Sequence, residues 1–600
     1  MASLPPTPFR SPADPTAAVP PLAATEPHRE LTLRAVLVAV LVAALMGASD
    51  STVVLRIGYG PNISVVSAFF GFILIGIIGL VTGKRATRWE NNLVQTAGTA
   101  AGQASFMVVW LAAVDMLEQK GLLHLTLSRV QVFLWLSLAG MLGVLLAVPL
   151  RRHYIDEEDL RFADGTAAGE TLLVLDQGAR EAGPRVAALG IGTLVSGLIA
   201  LLRDGEAALS ALKLRFLQLP GELSFRFLVP FADKVRFGTE VGVLSLGAGL
   251  LIGLRIGLSM LLGSVLAWVI APGPLVSSGI VAELSFTKLL QTWIMWPATG
   301  LMVAGGVTAL ALKWRSIARS FRGLGRSGGA AGDFPMRLVV PGVLVLAVAL
   351  AVLQYVSLGF PLWLTVVSLL LSVLLMMVGI RVLGETNWAP ISAMANVMQA
   401  VFAVLAPGHV PINMVGSGMS GSIAANGEHL MQDFRAGKIV GSTNRNLTIL
   451  QLVGVPSGAF AVAVCYPLVK ARYGIGGEHG LTSPISQKWA GFAELLSRGV
   501  GALPPSALWA LGLAVVLGVV LTLLEATRLG RFLPSPTALG MGMLIPGYAV
   551  VPMALGGAVQ HLWSKLSPRT EGRYCTPLAS GFIIGEALVI LALAFVAVVG

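Results

Sequence analysis

The chain has 600 residues, 55% of them hydrophobic and 12% charged, with 70 Gly and a formal net charge of +11. A mean hydropathy of +0.81 and repeated apolar runs exclude a soluble enzyme or a disordered regulator and require a polytopic membrane protein. Two cysteines, Cys465 and Cys575, exclude a disulfide framework and a thiolate metal cluster.

Residues 1–30, rich in Pro and Ala, read as a disordered tail. They have no apolar core of a signal peptide, so the first hydrophobic run is expected to be a retained helix. "AVLVAVLVAALMGAS" (35–49), "VFLWLSLAGMLGVLLAVPL" (132–150), "LVVPGVLVLAVALAVLQYV" (338–356) and "LWALGLAVVLGVVLTLLEA" (508–526) each approach the roughly 20 residues needed to cross a hydrocarbon core. No alternating ten-residue strands of a membrane barrel appear. The fold class is therefore an all-α polytopic membrane protein, with about 14–16 spans including broken or re-entrant segments.

The basic charge marks topology rather than nucleic acid. "GKRATR" (83–88), "RRH" (151–153) and "KWRSIARSFRGLGR" (313–326) all follow apolar runs, as cytoplasmic loops do. The N-terminus is then cytoplasmic, and 313–336 is a basic cytoplasmic loop. The mixed stretch 203–238 reads as an amphipathic insert at the membrane surface or between bundles.

The chain also repeats itself. "LGAGLLIGLRIGLSMLLGSVLAW" (246–268) overlies "LGMGMLIPGYAVVPMALGGAVQHLW" (539–563) at an offset of 293, matching Leu246 with Leu539, Gly249 with Gly542, Met260 with Met553 and Gly263 with Gly556. Trp89 in "TRWENN" meets Trp388 in "TNWAPI" at an offset of 299. Two halves are expected, 31–312 and 337–600, an arrangement habitual in secondary transporters. Whether they are parallel or inverted depends on the helix count per half, which the sequence leaves open.

Ionisable and amide residues at membrane depth are costly and are functional candidates. Glu170 in "FADGTAAGETLLVL" either binds a coupling proton or substrate amine or pairs with Arg180 at the interface. Glu586 in "SGFIIGEALVILALAF" is either functional or a structural hydrogen bond between helices. Arg255 in "IGLRIGLSM" either grips a substrate carboxylate or pairs with a helix acid. Asn91, Asn92 and Gln95, with Thr96, Thr99 and Gln103, form a polar stripe along one helix, either the wall of a hydrated pathway or polar glue. Asn387, Asn396 and Gln399 would form the matching wall in the second half, where Pro390 breaks the helix.

The segment "HVPINMVGSGMSGSIAANGEHLMQDFRAGKIVGSTNRN" holds Glu428 and Asp433. Its Gly/Ser run 416–427 argues against a plain helix, because Gly costs about 1 kcal/mol relative to Ala at each interior position. Irregular backbone lining a cavity is the expectation, followed by a charged segment that either lines that cavity or emerges as a solvated loop.

Taken together, "ENNLVQT", "DGTAAGE", "GLLIGLRIGLSMLLGSVLAW", "NWAPISAMANVMQ", "LMQDFRAGKIVGSTNR" and "PSPTALGMGMLIP…ASGFIIGEAL" resemble the signatures of the oligopeptide transporter family, which includes the yellow-stripe-like metal-chelate transporters. The matches run from about residue 32 to the end in the family's order. Asn444 departs from a common Pro. The resemblance implies a prokaryotic, cation-coupled carrier of small peptides, glutathione-like peptides or metal chelates in a bacterial cytoplasmic membrane, driven by protons, with a homodimer allowed. Glu170 and Asp433 lie in its best-matching elements and are the leading carboxylates for proton or cargo. A channel, or another solute carrier of the same fold, is the alternative. An intramembrane enzyme would need a catalytic constellation, and no HExxH, GxSxG or phosphate loop is present, so catalysis, resident metal and cofactor are not expected.

Overall fold

A computed structural model describes residues 30–599 apart from 58–62, 84, 126, 182, 212, 313–331, 476–482, 498–503 and 526. The N-terminal tail and most of the basic loop 313–336 thus lie outside the described residues. Helices of nine or more residues are α1 (Leu33–Ile57), α2 (Ile63–Thr82), α3 (Arg88–Phe106), α4 (Val108–Gln119), α5 (Arg129–Ala147), α6 (Ala163–Glu181) and α7 (Gly183–Asp204). After a hairpin of β1 (Glu222–Ser224) and β2 (Gly238–Glu240) come α8 (Leu244–Ile252), α9 (Leu254–Val265) and α10 (Met295–Leu312). The second half holds α11 (Met336–Leu358), α12 (Leu362–Thr386), α13 (Ile391–Leu405), α14 (Val410–Val440) and α15 (Asn444–Tyr473). It ends with α16 (Pro484–Ser497), α17 (Pro505–Glu525), α18 (Pro536–Leu544), α19 (Gly547–Leu566) and α20 (Pro568–Val599).

Among the described residues, nine helical segments are long and apolar enough to cross a membrane, and the only sheet is the antiparallel β1–β2 pair. Their outward faces carry exposed Leu, Val and Ile, as on α2 at Ile73, Ile77 and Leu80. The protein is an all-α polytopic membrane protein, and these faces are what a hydrocarbon solvent requires. Residues 203–238 form no long amphipathic helix. α7 ends at Asp204, and short turns lead into the hairpin. Its aromatic residue Phe227 is 80% exposed, in keeping with a surface element.

Two broken helices cross. α8 stops at Gly253, whose φ of +86° no L-residue adopts cheaply, and α9 begins beside it. α18 stops at Ile545, and Pro546 precedes α19. The freed carbonyls are covered: Arg161 donates to Leu251 O at 2.6 Å and Trp268 Nε1 to Ile545 O at 3.1 Å. Such coverage is obligatory at membrane depth, where an unsatisfied carbonyl has no water to turn to.

The crossing is reciprocal. Gly249 lies against the backbone of Met553, and Gly542, 293 residues after Gly249, lies against the backbone of Met260, 293 residues before Met553. Gly263 meets Leu539 and Met543, while Gly556 meets Leu246 and Leu250, at the same offset. The residues matched in sequence therefore touch each other's counterparts, and the two segments run antiparallel. Beside the crossing, α7 and α8 pack on α20, and α17 and α18 pack on α10.

Candidate functional site

α14 is the centre of the other part of the bundle, wrapped by α3, α5, α6, α12 and α13. It is an unbroken helix of 31 residues, so the expectation of irregular backbone over 416–427 fails. The glycines are notches. A Cβ on Gly416 would enter the Phe402 ring, one on Gly418 the Trp110 indole, one on Gly421 the Trp489 ring and one on Gly427 the Met376 side chain. Aromatic packing of this kind outweighs roughly 1 kcal/mol per glycine of helix propensity. Nor do residues 428–440 emerge as a loop, because the same helix carries them to Val440.

Asp433 is fully buried. Gln95 Nε2 donates to one of its oxygens at 2.6 Å, and Gln451 Nε2 donates to the other. Gln95 also donates to Thr99 Oγ1 at 3.0 Å, which in turn meets Ser64 Oγ at 3.1 Å. Asp433 stands seven residues from the end of α14, while Gln95 and Gln451 stand seven from the starts of α3 and α15. At 1.5 Å per residue all three sit about 10 Å below one end of the bundle. Asn92 belongs to this cluster, donating to Ser442 Oγ at 2.7 Å.

Glu428, five residues earlier, points to another side of α14. It is fully buried against Gly379 of α12, and neither carboxyl oxygen has a hydrogen-bond partner. Among the described residues no cation pairs with Asp433 or Glu428. Toward the other end of α14, Asn413 Oδ1, Ser420 Oγ, Ser422 Oγ and Asn426 Oδ1 are also buried without partners. Buried polar atoms are normally satisfied, so a file of unsatisfied ones along one helix marks a place built for something besides packing.

The remaining candidates fall in several places. Asn387, the left-handed cap of α12 at φ +60°, accepts Asp164 N at 3.0 Å and donates to Asp164 Oδ1 at 2.8 Å. Gln432 accepts Gly165 N at 2.6 Å and donates to Asn387 Oδ1 at 3.3 Å, tying the start of α6 beside Asp433. Glu170 is not brought to Asp433. Its neighbour Gly169 packs on Ile439, which places Glu170 about 9 Å nearer the bundle end. The side chain of Arg180, its expected alternative partner, lies outside the described residues. Asn396 and Gln399 do not face the stripe of α3. They pack around the start of α14, where Asn413 Nδ2 donates to the Gln399 carbonyl at 2.7 Å and Asn396 contacts Met295. Twenty helical residues, about 30 Å, separate Asn413 from Asp433. Asn91 turns its unpartnered Oδ1 toward Gly71 and lines a lateral cleft.

Two candidates belong to ion pairs. Arg255 pairs with Glu525 at 2.9 Å and donates from Nε to Leu533 O at 3.1 Å. Glu586 pairs with Arg203 at 2.7 Å and accepts Leu244 N at 3.1 Å. Sequence reasoning missed Gln451, although a lone amide in "LTILQLVGVP" was a visible signal. It also missed Arg381, which joins Glu158 at 3.0 Å to Glu385 at 2.9 Å.

One end of the bundle collects the basic residues. Arg34 pairs with Glu90 at 2.6 Å, Arg435 with Asp159 at 2.6 Å, and Arg151 with Asp333 at 3.2 Å. Glu30 accepts Thr443 N at 3.1 Å at that same end, so the approaches to α1 and α15 meet there. Burial pushes Asp159 up, but the Arg435 and Lys438 charges outweigh it and hold the carboxyl below its usual range.

Comparison with known proteins fits this architecture. The chain is 23% identical to a "Probable metal-nicotianamine transporter" of Oryza sativa subsp. japonica, covering 94% of this chain and 85% of that protein. It is 23% identical to a "Putative oligopeptide transporter" of Haemophilus influenzae, covering 86% and 88% respectively. A "Metal-nicotianamine transporter" of Arabidopsis thaliana shares 29% identity over 32% of the chain and 29% of its own length. Residues 30–597 match the family described as "OPT oligopeptide transporter protein", and the chain belongs to that family of transporters.

Proposed function

We propose that this protein is a proton-coupled secondary carrier that imports small peptides or peptide-like metal chelates, with Asp433 and Glu428 as its working carboxyls. The observation that carries the reading is two fully buried acids on one helix, neither facing a cation. An unpaired carboxylate in the interior costs several kcal/mol, so the neutral acid is the form that suits this state. A carboxyl that takes a proton here and gives it up when the surroundings are hydrated couples proton flow to a change of state. The amides of Gln95 and Gln451 serve both forms, because an amide presents donor and acceptor atoms alike. The peptide and metal-chelate cargo classes follow the names of the relatives and the family.

The reciprocal crossing supports halves of inverted topology. A two-fold operation that exchanges antiparallel segments has its axis perpendicular to them, and hence in the membrane plane when they run across it. Inverted halves permit alternating access by exchange of conformations between the repeats. The basic end of the bundle is assigned to the cytoplasm, and the N-terminus with it, in a bacterial cytoplasmic membrane.

Reconstitution tests the reading. With an inward proton gradient, a metal–nicotianamine complex or an oligopeptide should accumulate in wild-type vesicles. Asp433→Asn should lose accumulation yet retain exchange of labelled for unlabelled cargo. Accumulation by Asp433→Asn and Glu428→Gln with unchanged pH dependence would sink the assignment, and single-channel conductance would replace the carrier by a pore.

A further inference from the structure

We propose that a cleft between α2, α3 and α6 holds an anionic glycerophospholipid, its phosphate at Arg85 and Arg88 and one acyl chain along the glycine face of α2. This assignment is independent of the transport reading above.

The cleft has a volume of about 500 Å³ and lies at the basic end of the bundle. One wall is α2, with Phe72, Gly76, Gly79 and Leu80, and the opposite wall is Leu172 and Leu175 of α6. Leu80 is 87% exposed, so the cleft opens sideways toward lipid. Its glycines differ from the packed glycines elsewhere. A Cβ on Gly71 would strike Asn91, whereas one on Gly76 or Gly83 would meet nothing within 4 Å. Omitted side chains there leave a trough, and a trough bordered by Phe72 and Leu80 suits a hydrocarbon chain.

The polar end has the opposite character. Arg85 is exposed, and the Arg88 guanidinium lies over the Trp89 ring at 4.6 Å and stands 3.9 Å from Asp176, too far for a good hydrogen bond, with its Nε buried and unpartnered. Asn91, one helical turn further in, is 2% exposed with its Oδ1 turned toward Gly71 and closes the inner end of the cleft. Among the described lining residues, two guanidinium groups and one carboxylate leave a net +1, which a single phosphodiester neutralises. Guanidinium forks bind phosphate oxygens with two parallel hydrogen bonds. An occupant with an anionic head and an apolar tail answers both ends of the cleft, whereas a free anion answers one and an alkyl chain the other.

The test is thermal stability of the detergent-purified full chain, read with added phosphatidylglycerol, diacylglycerol or glycerol 3-phosphate. Phosphatidylglycerol should raise the Tm by about 3–5 °C, because a ligand that binds only the folded state stabilises it. The other two should leave it unchanged. Arg85→Gln with Arg88→Gln should abolish the rise. Gly76→Leu starts a side chain where a Cβ meets nothing within 4 Å, fills the trough without changing any charge and should abolish it too. Co-purified lipid, counted by native mass spectrometry, should fall in parallel. An equal shift with glycerol 3-phosphate would reduce the cleft to an anion site, and an equal shift with diacylglycerol to a greasy groove. A shift that survives both variants, or one produced by a short peptide and lost with the two arginines, would also overturn the lipid assignment.

Discussion

The glycines of the α8–α9/α18–α19 crossing and those of α14 solve opposite problems. At the crossing, Gly249, Gly263, Gly542 and Gly556 meet backbone, which leaves no rotamer to adjust and no atom to titrate. On α14, Gly416, Gly418, Gly421 and Gly427 meet side chains, and the same helix carries the unpartnered Ser420, Asn426 and Glu428 and the amide-bound Asp433. Backbone-to-backbone contact gives a scaffold whose geometry is fixed by close approach. Side-chain contact gives a helix whose neighbours can repack and whose polar atoms can change partners. The unsatisfied polar atoms of α14 belong to the second kind.

The largest effect should come from the scaffold's ion pair. Arg203 and Glu586 are 7% and 4% exposed, and Arg203 also reaches Val241 O at 3.2 Å. Removing Arg203 alone strands a buried carboxylate, which costs about 3–5 kcal/mol. Arg203→Met should therefore lose most folded protein in detergent, and adding Glu586→Gln should recover much of it. Equal yields of the single and double variants would show that the pair does not hold the scaffold.

Next in size is the reciprocity itself. Gly249→Ala and Gly542→Ala each push a methyl into backbone that cannot move aside, an overpacking cost of about 1–3 kcal/mol. Inversion predicts that the two cost the same, whereas Gly76→Ala, facing open space, should cost almost nothing. Thermal unfolding of the three variants decides, and a tolerated Gly542→Ala beside a ruinous Gly249→Ala would break the symmetry.

These contrasts also explain what the sequence revealed. The bundle and the repeat that underlies the crossing were legible because apolar runs and glycine spacing are local, and because the offset of 293 could be read without knowing any contact. α14 was misread because propensity charges each glycine for itself. It cannot see that Trp110, 308 positions before Gly418, fills the notch. Gln451 escaped notice because a single amide in an apolar run gains meaning only from Asp433, across the turn after Val440. Asn396 and Gln399 were expected to form a wall matching the stripe of α3, but the pattern gave no sign that α14 would hold them far from Asp433.

On the α14 side, Gly379→Ala offers a smaller and more selective effect. Its Cβ would collide with the Glu428 carboxyl, the far end of a rotatable side chain. The fold should adjust while the carboxyl is displaced. We expect proton-driven uptake to fall about tenfold, equivalent to about 1.4 kcal/mol, with the Tm within a degree or two of wild type. Unchanged uptake would separate Glu428 from the coupling machinery.

The smallest effect sharpens the comparison at the rim of the scaffold, where charge outside the spans does titrate. Glu240 ends β2 opposite Glu222, which is itself held by Arg236 at 2.6 Å. Glu586 of α20, Arg203 of α7, Ser245 of α8 and Tyr548 of α19 also face it. Burial first, and the Glu586 charge second, push Glu240 up from 4.5 to about 7, with Ser245 and Arg203 pulling it back. Between those two values the folded protein keeps a proton that the unfolded chain has released. Its stability therefore falls as pH rises from 4.5 to about 7 and is level above that. Glu240→Gln removes the titration and should flatten this part of the profile. At pH 8 the variant should be more stable than wild type by about 1 kcal/mol, discounted because the group is partly exposed, or about 1 °C in Tm. At pH 4 the two should coincide. A variant that loses stability equally at both pH values would mean that Glu240 is held as a hydrogen-bond partner, and that the rim of the scaffold is as pH-insensitive as its glycine core.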